Sequence, residues 1–200
     1  MRVAFLVHDL SPSGGLATIR SHARRLVELG HEAELLGPGE DGRAQGEYDW
    51  AVATWWETAA RLWDVPARRR LVFLQSFEER FYGPDEPLER QGAAAVLDLP
   101  VDFVVVAGWM RDALAELRPD AGCVLVHNGI DKQAFQPRER AGRTGPLRVL
   151  VEGQPTLWFK GTADSLAATA AMTEPNHVTV AALDPGDTTG LRVDLSLIHI

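Results

Sequence analysis

The sequence predicts an α/β fold, in which parallel strands form an open, doubly wound, Rossmann-like sheet with helices on both faces. Short, continuous apolar runs alternate along the chain with longer amphipathic segments, as buried parallel strands alternate with the helices that cover them. A first strand, a glycine-rich loop, a helix and a second strand also follow one another directly. Such a βαβ unit implies parallel pairing and a right-handed crossover. The alternation restarts near the end of the chain, so a second, incomplete Rossmann-like domain is expected.

The first βαβ unit is the most clearly marked part of the chain. Residues 2–7 are a short aliphatic run that ends at the turn-forming residues 11–15, which predicts a buried strand followed by a loop. Apolar residues recur at helical spacing over residues 16–27, and Gly30 is a helix stop. Residues 32–36 predict the second strand.

Four more strands and one helix complete the predicted first domain. The strands are expected at four apolar runs, residues 50–54, 71–75, 103–107 and 124–127. Met110, Leu114 and Leu117 mark a helix between the last two of these runs. An Asn-Gly turn at 128–129 closes the last strand.

The second domain begins after a polar segment and stops early. Three elements are predicted in it, a strand at 147–151, a helix at 163–172 and a strand at 178–183. The first domain is therefore expected at residues 1–136, a solvated linker at 137–146 and the truncated second domain at 147–194. So few residues would leave a helix face and a strand edge of the second sheet uncovered, so the chain is expected to be a fragment.

The last six residues, 195–200, have the sequence LSLIHI and resemble an in-frame translation of a transposon-type sequencing adapter. We therefore leave this run out of the fold prediction, as we would a cloning scar. The alternative is a native apolar tail that forms a strand.

Composition narrows the classes of function. Twenty Lys and Arg against 28 Asp and Glu give a net charge of −8, which argues against general nucleic-acid binding. The single cysteine, Cys123, excludes an intramolecular disulfide, and no Cys/His spacing indicates structural zinc. The apolar run at residues 3–7 is too short for a signal peptide or a membrane span. We expect a cytoplasmic protein with no nucleic-acid partner.

The loop after the first strand is the first candidate site. Gly14 and Gly15 would let a ligand approach backbone amides at a helix N-terminus, where the helix dipole favours a phosphate. His8 and Asp9 lie at the same loop, beyond the carboxyl end of a predicted central strand. The alternative is an ordinary βα turn, and a lone histidine is more often structural than catalytic.

A second candidate site surrounds Lys160, which stands just before a predicted helix. A cation at a helix N-terminus opposes the helix dipole by about 0.3–1 kcal/mol, a cost that an anion between them would offset. Gly153 and Gln154, at the end of the preceding strand, are expected to line the same crevice. The alternative is an exposed lysine in a solvated loop.

Other motifs are rejected or missing. Residues 37–42 match GxGxxG but follow the second strand and precede a polar segment, so a plain loop is expected there. The sequence contains no P-loop, HExxH, GxSxG or EF-hand motif and no Asp-x-Asp pair. No metal is therefore expected. Among the six tryptophans, Trp55, Trp56 and Trp109 offer rings that would stack on a sugar, although core packing is the commoner use.

Three features together resemble the GT-B-fold retaining glycosyltransferases of family 4. They are the first-strand glycine loop, the sequence VHNGID at 126–131 with Phe135 and Pro137, and VLVEG at 149–153 ahead of Lys160 and Gly161. The resemblance extends to about Leu183. It implies two Rossmann-like domains, of which the first binds an acceptor and the second binds a nucleotide-activated sugar.

The resemblance implies a hexosyltransferase-like reaction with retained anomeric configuration and no metal or other cofactor. The donor would be a nucleotide sugar, and the acceptor an unknown glycan or lipid-linked molecule. Lys160 matches the family lysine that neutralises the leaving diphosphate. Gly14 and Gly15 match the loop near donor phosphate and acceptor, with Gly153 and Gln154 on the donor side.

Two departures from the family pattern matter. Gln154 stands where the family often has arginine, and Gln75 stands where it commonly has histidine. Gln75 can hydrogen-bond a sugar hydroxyl but cannot transfer a proton. Gln75 and Glu78 belong to a segment that looks like a motif of the rhamnosyltransferase-like branch, so both are acceptor-side candidates. The family's paired donor-domain glutamates would lie beyond residue 200, so an inactive fragment is expected.

Alternative functions remain open. One is a GT-B-fold epimerase of a nucleotide sugar, which would turn over without an acceptor. Another is a non-enzymatic Rossmann-like binding module. Residues 68–70, with Arg24 and Arg25, would suit peripheral contact with an anionic membrane, although a solvated charged face is the commoner use.

Overall fold

The computed structural model describes residues 1–39, 43–137, 139, 142 and 145–182, and the backbone of residues 193–197. The chain forms two compact units, Met1–Ile130 and Asp131–Ile200. The first unit therefore ends somewhat before the domain boundary expected at residue 136. Residues 40–42 of the GxGxxG match, residues 138, 140, 141, 143 and 144 of the expected linker, and Leu183 lie outside the described residues.

The first unit contains a six-stranded parallel sheet, as the sequence predicts. Its strands are β1 (Arg2–Leu6), β2 (Glu32–Leu36), β3 (Tyr48–Ala53), β4 (Ala67–Leu74), β5 (Asp102–Val105) and β6 (Cys123–Leu125). They lie in the order β2-β1-β3-β4-β5-β6, and every neighbouring pair is parallel. This order confirms the doubly wound α/β prediction.

Helices cover both faces of this sheet, because alternate side chains of each strand point to opposite faces. The helices are α1 (Gly14–Glu28), α2 (Trp56–Ala59), α3 (Pro87–Ala95) and α4 (Gly108–Leu117). On one face, Ile19 of α1 packs in a cluster with Phe5 and Phe73. On the other face, Leu6 belongs to a cluster that includes Leu114 of α4. Burial on both faces explains the apolar runs within these strands, such as residues 3–6 of β1 and residues 71–74 of β4.

The order of the strands reverses between β1 and β3, which are neighbours in the sheet. From β1 the chain crosses to β2 on one side, and from β3 it continues to β4 on the other. In open α/β sheets, such a reversal leaves a crevice at the carboxyl ends of the two strands, where ligands bind. The segments that follow β1, β3 and β4 meet at this edge.

The second unit is a smaller parallel sheet. Its elements are β7 (Leu147–Glu152), α5 (Thr162–Ala170), β8 (Asn176–Ala182) and β9 (Val193–Leu197), and its strands lie in the order β7-β8-β9. Val151, Val178 and Val180 form its buried core, with Leu166 of α5 packed against them. The predicted strands at 147–151 and 178–183 and the helix at 163–172 are confirmed to within a few residues.

The backbone of residues 193–197 pairs in parallel with β8, and Leu195 lies opposite Val180. Residues 195–197 therefore form part of a strand, as the alternative interpretation of the tail expects. Any sequence can pair through its backbone, so this strand does not show whether residues 195–200 are native. That they come from a sequencing adapter stays a prediction.

Two short helices were not predicted. Helix α2 has four residues and is too short to show an apolar period. Helix α3 begins with Pro87 in its first turn and contains three consecutive alanines, so its apolar face is weak. No helix in the described part of the chain is long and apolar enough to cross a membrane.

We expect Leu114→Ala to destabilise the first unit by about 2–5 kcal/mol, because the side chain is 0% exposed and its loss leaves a cavity beneath α4. Leu117→Ala is the matched control, since Leu117 lies on the same helix and is 60% exposed. Its cost should stay within about 0.5 kcal/mol. Urea unfolding of both variants measures the difference, and equal costs would contradict this packing.

Candidate functional site

The carboxyl edge of β1, β3 and β4 carries a cluster of polar and aromatic side chains, which we call the switch cluster: His8, Trp55, Glu57, Gln75, Glu78 and Phe81. Its closest contact joins His8 Nδ1 to Glu57 Oε2 over 2.5 Å. The rings of His8 and Trp55 lie 6.4 Å apart, and the rings of Trp55 and Phe81 stack at 6.0 Å with an interplanar angle of 10°. An aromatic row therefore runs along the edge from the loop after β1 to the segment after β4.

A network of short hydrogen bonds fixes the turn that presents Trp55 and Glu57. Thr58 Oγ1 accepts from the backbone N–H groups of Thr54 and Trp55 and donates to the Trp55 carbonyl. Thr54 Oγ1 donates to the carbonyl of Leu6 over 2.8 Å, which ties the end of β3 to β1. Glu57 follows directly in α2, so its carboxylate is held beside the loop that carries His8.

Glu78 is a buried carboxyl residue that accepts a hydrogen bond from the first residue of α2. The residue is only 6% exposed, and its Oε2 accepts the backbone N–H of Trp56 over 2.7 Å at the start of α2. Burial raises the pKa of Glu78 to about 8, while the Trp56 N–H acts in the opposite direction and Glu79 raises the pKa further. The hydrogen bond to the backbone shows that Glu78 positions α2. Its role as an acceptor-side residue stays a prediction.

The adjacent tryptophans after β3 have different surroundings. Trp56 Nε1 donates to the hydroxyl of Tyr82 over 2.7 Å, and the Trp56 ring packs so closely on α3 that a Cβ at Gly92 would lie 2.6 Å from it. Trp56 is therefore a packing residue. Trp55 is also half-buried, and its ring stacks on that of Phe81 instead.

The glycine loop after β1 lies against the side chain of Gln75, which follows β4. Two of the residues predicted on the acceptor side are therefore close together. A Cβ at Gly15 would lie 3.3 Å from Gln75 Nε2, whereas the space around Gly14 is open. Asp9 serves the loop itself, because its Oδ1 accepts from both the N–H and the hydroxyl of Ser11 at 2.9 Å. These bonds lower the pKa of Asp9.

The second unit contains a separate cluster, which we call the α5 cluster: Gly153, Gln154, Lys160, Gly161 and Thr162. Gly153 follows β7 with φ of 149°, and a Cβ there would lie 2.7 Å from Thr162 Oγ1 and 3.3 Å from Lys160 Cβ. Gly161 adopts the left-handed conformation, with φ of 64°, that turns the chain into α5. The glycine pair thus brings the end of β7 against the beginning of the helix.

Thr162 is the most unusual residue of the α5 cluster. The residue is 2% exposed, and within the described part of the chain its Oγ1 has no hydrogen-bond partner. Gly161, at the N-cap position of α5, has no side chain with which to cap the helix. A buried hydroxyl without a partner costs about 1–3 kcal/mol, which a bound oxygen atom would recover.

The remaining members of the α5 cluster suit an anion. Lys160 is exposed at the end of a 3-10 turn, Trp158–Lys160, and Gln154 Nε2 bonds Thr156 Oγ1 over 3.3 Å beside it. A lysine, an uncapped helix N-terminus and an unsatisfied hydroxyl are complementary to phosphate oxygens.

Sequence analysis identified most members of both clusters but missed Glu57 and Thr162. Glu57 stands four residues after the end of β3 and meets His8 only through the pairing of distant strands. Thr162 gives no signal in the sequence, since its significance comes from the missing hydrogen-bond partner.

The raised pKa of Glu78 implies that the free energy of unfolding depends on pH. Its carboxyl group has an ordinary pKa of 4.5 and a pKa of about 8 in the folded chain, so between these values the folded state holds a proton that the unfolded state has lost. Stability should therefore fall as pH rises through this range, by at most about 1.4 kcal/mol per pH unit. Glu78→Gln should remove this component, because the amide is neutral and still accepts from Trp56.

Urea unfolding of wild type and Glu78→Gln between pH 5 and pH 8 measures the effect as the difference between the two profiles. The exposed Glu89, changed to Gln, is the control and should follow the wild-type profile. Parallel profiles for wild type and Glu78→Gln would show that Glu78 is ionised like a surface carboxylate.

Comparison of the chain with models of protein families and with curated protein sequences finds no match in either case.

Proposed function

We propose that the chain belongs to a glycosyltransferase that moves a hexose-like sugar from a nucleotide-sugar donor to a hydroxyl group of a glycan or lipid-linked acceptor. The observation that carries the proposal is the α5 cluster. Among the described residues its buried Thr162 hydroxyl has no partner, and it lies beside Lys160 at the N-terminus of α5, where Gly161 stands at the cap position. This set of groups fits a diphosphate.

The chemistry of sugar transfer explains why such a site is useful. When the bond between the sugar and the diphosphate breaks, negative charge develops on the leaving phosphate oxygen. A lysine and a helix N-terminus aimed at that oxygen stabilise the charge in the transition state more than in the ground state. Lys160 supplies positive charge in this scheme, so the proposal needs no metal ion or other cofactor.

The switch cluster supports the acceptor side of the proposal. Gln75 offers both a donor and an acceptor to a sugar hydroxyl, and it lies against the glycine loop, since a Cβ at Gly15 would be 3.3 Å from its Nε2. Trp55 and Phe81 stack on each other beside it, and aromatic rings are a common partner of sugar rings. Retention of anomeric configuration follows from the resemblance to family 4 alone and is part of the proposal.

The location and partners are proposed on the same basis. Cys123 is free and half-buried, as suits a reducing compartment, and we propose the cytoplasm. Membrane contact is the weaker proposal, because the nearby arginines have partners in the fold. Arg25 pairs with Glu28 at 2.7 Å, and the Arg69 guanidinium lies 5.2 Å from the centre of the Trp50 ring.

We expect Lys160→Met to weaken binding of a nucleoside diphosphate about 10-fold to 100-fold, because a charged hydrogen bond contributes about 1.5–3 kcal/mol. The probes are UDP, GDP and dTDP, titrated calorimetrically, and the variant is compared with wild type for the tightest of them. Lys132→Met is the matched control, since the sequence contains only these two lysines.

Gly153→Ala is an independent variant of the same site. Its Cβ would lie 2.7 Å from Thr162 Oγ1, so the start of α5 would have to shift away from β7, and affinity should fall. Equal affinity of wild type and Lys160→Met, with the fold intact by circular dichroism, would contradict the proposal. Turnover of a nucleotide sugar without any acceptor would favour an epimerase instead.

A further inference from the structure

We propose that Arg80 and Trp109 form a subsite for an acidic acceptor, a sugar that carries a carboxylate or a phosphate group. This inference rests on the proposed transferase function and narrows its acceptor from sugars in general to anionic ones. Both residues belong to the first unit, so the subsite is built by that unit alone.

The two residues follow neighbouring strands at the carboxyl edge of the sheet. Arg80 lies in a 3-10 turn, Glu78–Phe81, that follows β4, and Trp109 is the second residue of α4, which follows β5. Strands β4 and β5 are parallel neighbours, so both segments leave the sheet at the same edge. The residue after Arg80 is Phe81, whose ring stacks on Trp55. Arg80 therefore adjoins the switch cluster, where the acceptor is proposed to bind.

Aromatic rings hold the guanidinium group of Arg80 in place. Its Cζ lies 5.7 Å from the centre of the Trp109 ring and 5.8 Å from the centre of the Phe77 ring. The two rings pack edge to face, with their centres 5.5 Å apart. A cation within about 6 Å of a ring centre is attracted to the face of that ring. Phe77 is buried, so it anchors this arrangement in the core of the first unit.

The N–H groups of this guanidinium remain available to a ligand. In the part of the chain that the structure covers, the Arg80 side chain has no hydrogen bond and no ion pair, although Glu79 is its neighbour in sequence. Arg80 is exposed, and so is Trp109, to 51%. Arginine presents five donors in a planar fork that matches the oxygens of a carboxylate or a phosphate. An anion can therefore bind Arg80 without displacing a carboxylate of the protein.

Other arginines of the first unit are engaged differently. Arg25 and Arg111 have carboxylate partners at 2.7 and 2.8 Å. Arg69 is the closest counterpart of Arg80, because it is exposed and its guanidinium lies 5.2 Å from the centre of a ring, that of Trp50. Arg69 lies towards the amino end of β4, however, away from the carboxyl edge. It is therefore a matched control, with a similar environment but a different position.

An acidic sugar would use both residues of the subsite. Hydrogen bonds between charged groups are about twice as strong as those between neutral groups, so the guanidinium favours an anionic oxygen over a sugar hydroxyl. The exposed part of the Trp109 ring offers an apolar surface to the sugar ring. The chain as a whole carries a net charge of −8, which disfavours anions elsewhere on its surface.

Matched sugars test this preference. Methyl β-glucuronide and glucose 1-phosphate are the acidic probes, and methyl β-glucoside is the neutral one. Each is titrated into the full chain while NMR records the arginine Nε–H resonances. We expect at least one acidic sugar to bind about 10-fold more tightly than the glucoside or better, and to shift the resonance of Arg80 but not that of Arg69. A response to one acidic sugar alone identifies the anionic group.

Two variants test whether Arg80 is the residue responsible. Arg80→Gln should remove the preference for the acidic sugar, and Arg69→Gln should keep it. Equal affinities of wild type for acidic and neutral sugars would overturn the inference. A preference that survives in Arg80→Gln would overturn it as well. Inorganic phosphate is titrated by itself, and if it binds Arg80 as tightly as the acidic sugars do, the site takes an adventitious ion only and the inference fails.

A nucleoside diphosphate, titrated into the same samples, separates this inference from the proposed function. If the diphosphate binds the α5 cluster while no acidic sugar shifts Arg80, the acidic acceptor is wrong and the transferase proposal stands. If an acidic sugar binds through Arg80 but no nucleoside diphosphate binds the chain, the transferase proposal fails, and Arg80 belongs to a binding site for acidic sugars.

Discussion

The parallel pairing of β1 with β3 is the constraint on which the rest of the first unit depends. The two strands are in register from Val3 opposite Trp50 to Leu6 opposite Ala53, so the chain leaves both at the same edge of the sheet. That register places the loop of His8 beside the helix of Glu57, although some fifty residues separate them. The bond from Thr54 to the Leu6 carbonyl fixes the same edge. A slip of the register would separate the pair.

In the second unit, two glycines bring the end of β7 against the beginning of α5. Gly153 has no side chain to fill the space beside Thr162, and Gly161 adopts a backbone conformation that other residues rarely take. The result is a helix N-terminus with a buried, unsatisfied hydroxyl and a lysine next to it. Proteins satisfy nearly all buried polar groups, so this exception among the described residues is the observation on which the proposed diphosphate site rests.

The sequence predicts the fold better than the sites. Burial on both faces makes the buried part of a parallel strand an apolar run, and this local signal located β1 to β8, although it missed the exposed, charged beginning of β4 at Ala67–Arg70. Helix α2 was not predicted because four residues are too few to show the helical period of apolar residues. The contact of Glu57 with His8 depends on the pairing of distant strands, which no local pattern encodes. Burial of Glu78 was equally hidden, since carboxylates are usually exposed.

The most direct test of the central claim is an amide NMR titration of the full chain with the nucleoside diphosphate that binds best. The account predicts that the largest shifts occur at Gly153, Thr162 and Ala163, where backbone N–H groups would meet the phosphates at the start of α5. Shifts confined to other parts of the chain, or no shifts at saturating concentrations, would contradict a diphosphate site there. The glycosyltransferase proposal would then lose the observation that carries it.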